Sequence, residues 1–154
     1  EKLKEIYDKD PINYKKYMEK FTRITYTIGG SIIFPKRVNG INQTRGCIES
    51  ISDRFDLTLE CIRRYYDGNQ DSPLKETLNQ DKKFFNLFVD FKGYVDYFYL
   101  NDLVSEDYQS VKIFFGNSDF KDVGYPKTSQ DWNVWATKAQ KFINKRNYRI
   151  DNRI

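Results

Sequence analysis

Between Cys47 and Tyr66, Ile48, Ile51, Phe55, Leu59, Ile62 and Tyr66 recur at spacings of 3, 4, 4, 3 and 4. An α-helix turns once every ~3.6 residues, so this pattern lines one side of roughly five helical turns, whereas a strand would scatter the same residues over both faces. The helix therefore needs something apolar to lie against. With 12 Tyr, 12 Phe and 2 Trp among 154 residues, that interior is expected to be built from rings.

The rest of the chain supplies further helices. Pro11 suits a first helical turn, and Tyr14, Tyr17 and Phe21 follow it at helical spacing, which predicts a helix from Pro11 to Phe21. From Phe84 to Val104, Phe84, Phe88, Phe91, Val95 and Phe98 form one stripe, and Leu87, Tyr94, Tyr97 and Leu103 lie off it. A segment apolar nearly all round belongs in a core, with Gly93 marking a break or a close backbone crossing. Thr128 followed by Asp131 has the form of a capping box, opening a last helix that buries Trp132, Trp135, Ala139, Phe142 and Ile143.

Two segments suggest β structure. In "RITYTIGGSIIFP", Ile24, Tyr26 and Ile28 alternate before Gly29-Gly30, reading as strand, bend, strand over residues 23–34, although a helix running into the glycines competes. "VKIFFGN" reads as a short strand around residues 111–115. The expected fold class is α+β: a mainly helical single domain with a small β element and an aromatic core. It spans residues 1–154, and a start at Glu1 rather than Met predicts that an N-terminal part is missing. No apolar run reaches the ~18 residues of a membrane span, and "EKLKEIYDKD" lacks a signal-peptide centre, so a cytoplasmic location is expected.

Composition removes several chemistries. With no His and only Cys47 and Cys61, no zinc set of thiolates and imidazoles can be assembled within this chain, and Ser-His or Cys-His nucleophile activation is excluded. The two cysteines stand 14 positions apart, ~21 Å along a shared helix, too far to bridge. Catalysis would have to use carboxylates, Lys, Arg, Tyr or an oxygen-bound metal.

The net charge of +4 is unevenly spread. Residues 25–46 carry Lys36, Arg37 and Arg45 with no acid, and residues 128–154 carry six bases against Asp131 and Asp151. Such asymmetry marks a surface for nucleic acid or an acidic protein partner, or an ordinary solvated surface. Lys138, Lys141, Lys145 and Arg149 form a basic stripe on the last helix; cations there also complement the helix dipole. Arg45, with Asn42, stands where a helix N-terminus would help to hold an anion, unless both side chains simply brace the loop. Asn42-Gln43-Thr44 also fits the N-glycosylation pattern, idle in a cytoplasmic protein. Arg63 and Arg64 complete the candidate anion-binding set. On the same helix, Asp53, Asp56 and Glu60 could hold Mg²⁺ or Mn²⁺, the cofactor required only by a divalent-metal hydrolase or nuclease; their plainer role is a surface ladder of ion pairs. Arg146-Asn147 resembles the opening of the Arg-polar-x3-His motif of HEPN ribonucleases, but no histidine follows to complete it.

The segments "YTIGGSIIFP", "INQTRG", "ISDRFDLTLECIRRYY", "SPL", "FFNLFVDFKGYVDYFYLNDLV" and "FINKRNYRI", in that order between Tyr26 and Ile150, resemble a bacterial family known only as a domain of unknown function, with members longer at the N-terminus. The resemblance implies an intracellular bacterial protein and no particular substrate, cofactor or catalytic residue. It also implies His-Tyr where this chain has Tyr65-Tyr66, so any role of that histidine is lost here. The expected function is a binding module that uses a basic surface, with the metal-dependent hydrolase or a scaffold or regulatory interaction protein as alternatives. Oligomeric state is left open.

Overall fold

The computed structural model describes residues 8–9, 11–33, 54–69, 71–116, 120 and 128–153. The loop containing Asn42 and Arg45, and the expected helical residues 47–53 with Asp53, lie outside the described residues. The chain divides into two compact units, one formed by Glu1–Ile32 with Pro126–Ile154 and the other by Ile33–Tyr125.

The first unit pairs helix α1, Pro11–Thr25, with helix α6, Ser129–Asp151. α6 opens on the expected capping box: Thr128 Oγ1 accepts from the Asp131 amide at 3.1 Å, and the Asp131 carboxylate accepts from the Thr128 amide at 3.0 Å. Both bonds satisfy donors that a helix start leaves without partners. Phe21 of α1 packs against Trp132 and Trp135, with ring centroids 5.7 and 5.4 Å away, and Ala136, Ala139, Phe142 and Ile143 continue the buried face.

No strand forms among the described residues of the expected 23–34 element. α1 continues to Thr25, and Ile28–Gly30 make a 3₁₀ turn. Ile24 and Ile28 satisfy a period of two and a spacing of four equally well, and what selects the turn is contact with α6 far along the sequence. A Cβ on Gly29 would stand 2.6 Å from the Ile143 carbonyl oxygen, and one on Gly30 only 2.2 Å from that of Thr25. The double glycine is thus a close backbone approach, which no side chain could allow.

The second unit is centred on helix α2, Phe55–Tyr66, against which α3, Lys75–Gln80, and α5, Phe91–Tyr97, pack. α4, Lys82–Phe85, and the 3₁₀ turn Asn86–Phe88 join α3 to α5. The predicted apolar run is thus split into short pieces. Asp90 caps α5 by accepting from the Gly93 amide at 2.7 Å, and a Cβ on Gly93 would lie 2.1 Å from the Phe88 carbonyl oxygen. The aromatic core is real: Phe85, Phe88, Tyr94 and Phe98 form a chain of tilted and edge-on rings, with Tyr94 and Phe98 centroids 4.8 Å apart. The strand expected at 111–115 is reduced to one antiparallel bridge between Val104 and Val111, and no longer strand occurs among the described residues. The protein is therefore mainly helical, and the predicted β element is not found among the described residues.

Candidate functional site

α2 departs from its expected one-sided character. All seven residues from Asp56 to Ile62 are buried, including the two carboxylates placed on its solvent side by the sequence pattern. Their charges are met by arginines. At the helix start, Arg54, 3% exposed, donates through Nε to Asp56 Oδ1 at 3.1 Å and pairs with Oδ2. Asp56 Oδ2 also accepts from the Phe114 amide at 2.7 Å, while the Arg54 guanidinium donates to the Phe115 carbonyl at 2.7 Å. This pair sews the N-terminus of α2, where helix dipoles favour a carboxylate, to residues 114–115.

One turn further on, Glu60 is 4% exposed and binds two guanidinium groups. Arg63 donates to both of its oxygens, at 2.8 and 2.9 Å, and Arg64 donates through Nε at 2.8 Å. Arg63 also reaches the Asp67 carboxylate, and Arg64 reaches the Asp71 carbonyl at 2.8 Å and stacks over the Phe120 ring at 4.8 Å. Burial works to raise the Glu60 pKa, but the hydrogen bonds and charges of Arg63 and Arg64 outweigh it, and the net shift is downward. Arg63 is shifted upward, chiefly by its hydrogen bonds to Glu60.

Arg63 and Arg64, proposed from sequence as anion contacts, thus grip an internal carboxylate. Asp56 and Glu60, proposed with Asp53 as metal ligands, are each bound by guanidinium instead. No group of three His, Cys, Asp or Glu among the described residues could hold a metal ion. At the C-terminal end of α2, Tyr66 donates to the Phe85 carbonyl at 2.6 Å, and burial, then Tyr65 and Asp90, push its pKa up. Tyr65 packs its ring on Tyr66 and Phe85.

α6 presents a different arrangement. Arg146, 4% exposed, donates through one nitrogen to the carbonyls of Ile28, Gly29 and Ser31 at 3.1, 3.0 and 2.6 Å. Asn147 accepts from the Gly29 amide at 2.7 Å and donates to Thr27 Oγ1 at 2.8 Å. The two side chains clamp the 3₁₀ turn, a role that sequence reasoning missed because the turn lies more than a hundred residues upstream. Away from this clamp, Lys138, Lys141 and Lys145 are exposed and Arg149 is half-buried. At ~100° per residue these four fall within an arc of about 80°, on a stretch ~16 Å long. Asp131 falls on the same side at the N-terminal end, but its carboxylate is engaged in the capping box. From Trp132 to Ile150 there is no acid.

The two units differ in charge as well as in content. The unit containing α1 and α6 carries fourteen basic against seven acidic residues, a net of +7, and the unit centred on α2 carries twelve against fifteen, a net of −3. No helix among the described residues is long and apolar enough to cross a membrane.

These features define a mainly helical protein with an aromatic core, ion pairs buried in one unit and a cationic helix face in the other. The chain belongs to a family of unknown function, DUF6994, which matches residues 2–150. Neither a curated protein nor a solved structure matches it.

Proposed function

We propose that the protein is a binding module for polyanions, with nucleic acid its first candidate partner and an acidic protein the second. The observation that carries this reading is the exposed side of α6, where Lys138, Lys141, Lys145 and Arg149 share one face and no acid intervenes. Fixed on a helix whose opposite face is buried, these cations need no reordering of backbone to meet a row of phosphates. The bacterial cytoplasm implied by the family resemblance is a compartment where nucleic acid is at hand. Asn42 and Arg45 remain candidate contributors of a further anion contact.

The hydrolase alternative asks more of the molecule, since Asp56 and Glu60 would have to leave their guanidinium partners before binding Mg²⁺ or Mn²⁺. A fluorescence anisotropy titration with a labelled oligonucleotide at low salt tests the proposal. The protein should bind, and a variant with Lys138, Lys141, Lys145 and Arg149 all changed to Gln should lose most of its affinity while keeping its helical circular dichroism. Absence of binding by the unaltered protein to both nucleic acid and polyglutamate would overturn it.

A further inference from the structure

The cationic face of α6 holds one large ring. Tyr148 is 70% exposed, three positions after Lys145 and one before Arg149. Counting ~100° per residue, it lies about 20° from Lys141 around the helix and about 60° from Lys145, so the ring stands beside the stripe. Many rings among the described residues have an apolar place to go: Phe85 and Tyr94 are fully buried, and Trp132 and Trp135 pack on Phe21. Tyr148 does not. Its neighbours one turn either way, Asn144 and Asn152, are also exposed and uncharged, while the exposed Asp151 lies about 60° from the ring on the side away from Lys141 and Lys145.

A duplex keeps the faces of its bases stacked inside, and a ring on a straight helix reaches them only if the stack is opened. A single strand offers those faces, and stacking on an aromatic side chain tolerates any base. We infer that the ligand of this face is single-stranded nucleic acid, with Lys138, Lys141, Lys145 and Arg149 following the phosphates and Tyr148 stacking a base. The inference rests on the polyanion reading above and adds to it which strand state is chosen and which residue chooses it.

The test compares a short labelled mixed-sequence single strand, the duplex made by annealing its complement, and polyglutamate, each titrated with the full chain and with Tyr148→Ala and Tyr148→Phe. The single strand should bind more tightly than the duplex. Tyr148→Ala should weaken single-strand binding roughly tenfold and leave the duplex unaffected, while Tyr148→Phe retains the affinity, because a ring without the hydroxyl still stacks. Equal binding of both strand states, with Tyr148→Ala without effect, would overturn the inference and leave the polyanion reading standing. Binding of polyglutamate alone would also overturn it, in favour of an acidic protein partner. Binding of none of the three would remove both. Since Tyr148 is exposed, unchanged circular dichroism in its variants ties any loss to the contact.

Discussion

Replacing Glu60 by Gln keeps the shape of the side chain and removes the charge on which two guanidinium groups converge. Three charge-assisted hydrogen bonds end on this carboxylate, and the residue is all but inaccessible to water. Deleting one partner of a buried pair costs ~3–5 kcal/mol, because the remaining charge is left desolvated. Here the arginines are only partly sheltered, with side chains 16% and 13% exposed, and Arg63 keeps Asp67. The low end of the range applies, so Glu60→Gln should destabilise the protein by about 3 kcal/mol. Urea unfolding followed by circular dichroism would report this as a midpoint lowered by roughly 1–3 M, for slopes of ~1–3 kcal/mol per M. The loss should also depend on pH. The folded-state pKa of Glu60 is depressed, so its contribution is complete above the unfolded value of ~4.3 and disappears as pH falls through the folded value. The unaltered protein and the Glu60→Gln variant should therefore converge in stability at acid pH. The exposed pair Lys92–Asp96 serves as control, and Lys92→Gln should leave the midpoint unchanged. If Glu60→Gln behaved like that control at neutral pH, the buried ion cluster would be refuted.

Arg146→Met should cost about 2–4 kcal/mol in the same assay, since it removes a charged donor shared by three carbonyls; a loss below the measurement error would mean that the turn is held by other means. Val89 has φ 69° and ψ −59°, the rarer and strained γ-turn geometry, in a β-branched residue that is 87% exposed. Val89→Gly should therefore raise stability by about 1 kcal/mol, and a destabilised variant would contradict the strain. Burial pushes the Cys61 thiol up to about 11, so in a Cys47→Ser background native protein should react with a thiol reagent at pH 8 only as fast as it unfolds; prompt labelling would count against the buried position.

Features written in local spacing were legible from sequence. Thr128 and Asp131 announce the start of α6 three residues apart, and the stripe of Ala139, Phe142 and Ile143 follows at helical period. Leu59 and Ile62 were rightly placed in the core. The far side of α2 was not legible, because a face bearing Asp56, Glu60, Arg63 and Arg64 reads as solvated unless one knows that other elements cover it. One signal was present: Arg54 and Asp56 stand two apart, a spacing that does not make neighbours on a helix, and their pairing places Arg54 just before its first turn. Over residues 23–34 strand and helix compete in the sequence because Ile24 and Ile28 fit two periods, and the groups that decide between them, Arg146 and Asn147, lie at the other end of the chain.

If the proposed cationic face of α6 binds phosphates, its binding must depend on salt. For a single strand, the logarithm of the association constant should fall against the logarithm of salt concentration with a slope of about −3, given ~0.7 per phosphate neutralised and four cations on the face. With Lys138, Lys141, Lys145 and Arg149 changed to Gln, the residual slope should approach zero. A slope near zero for the unaltered protein, or one that survives those four substitutions, would contradict the account.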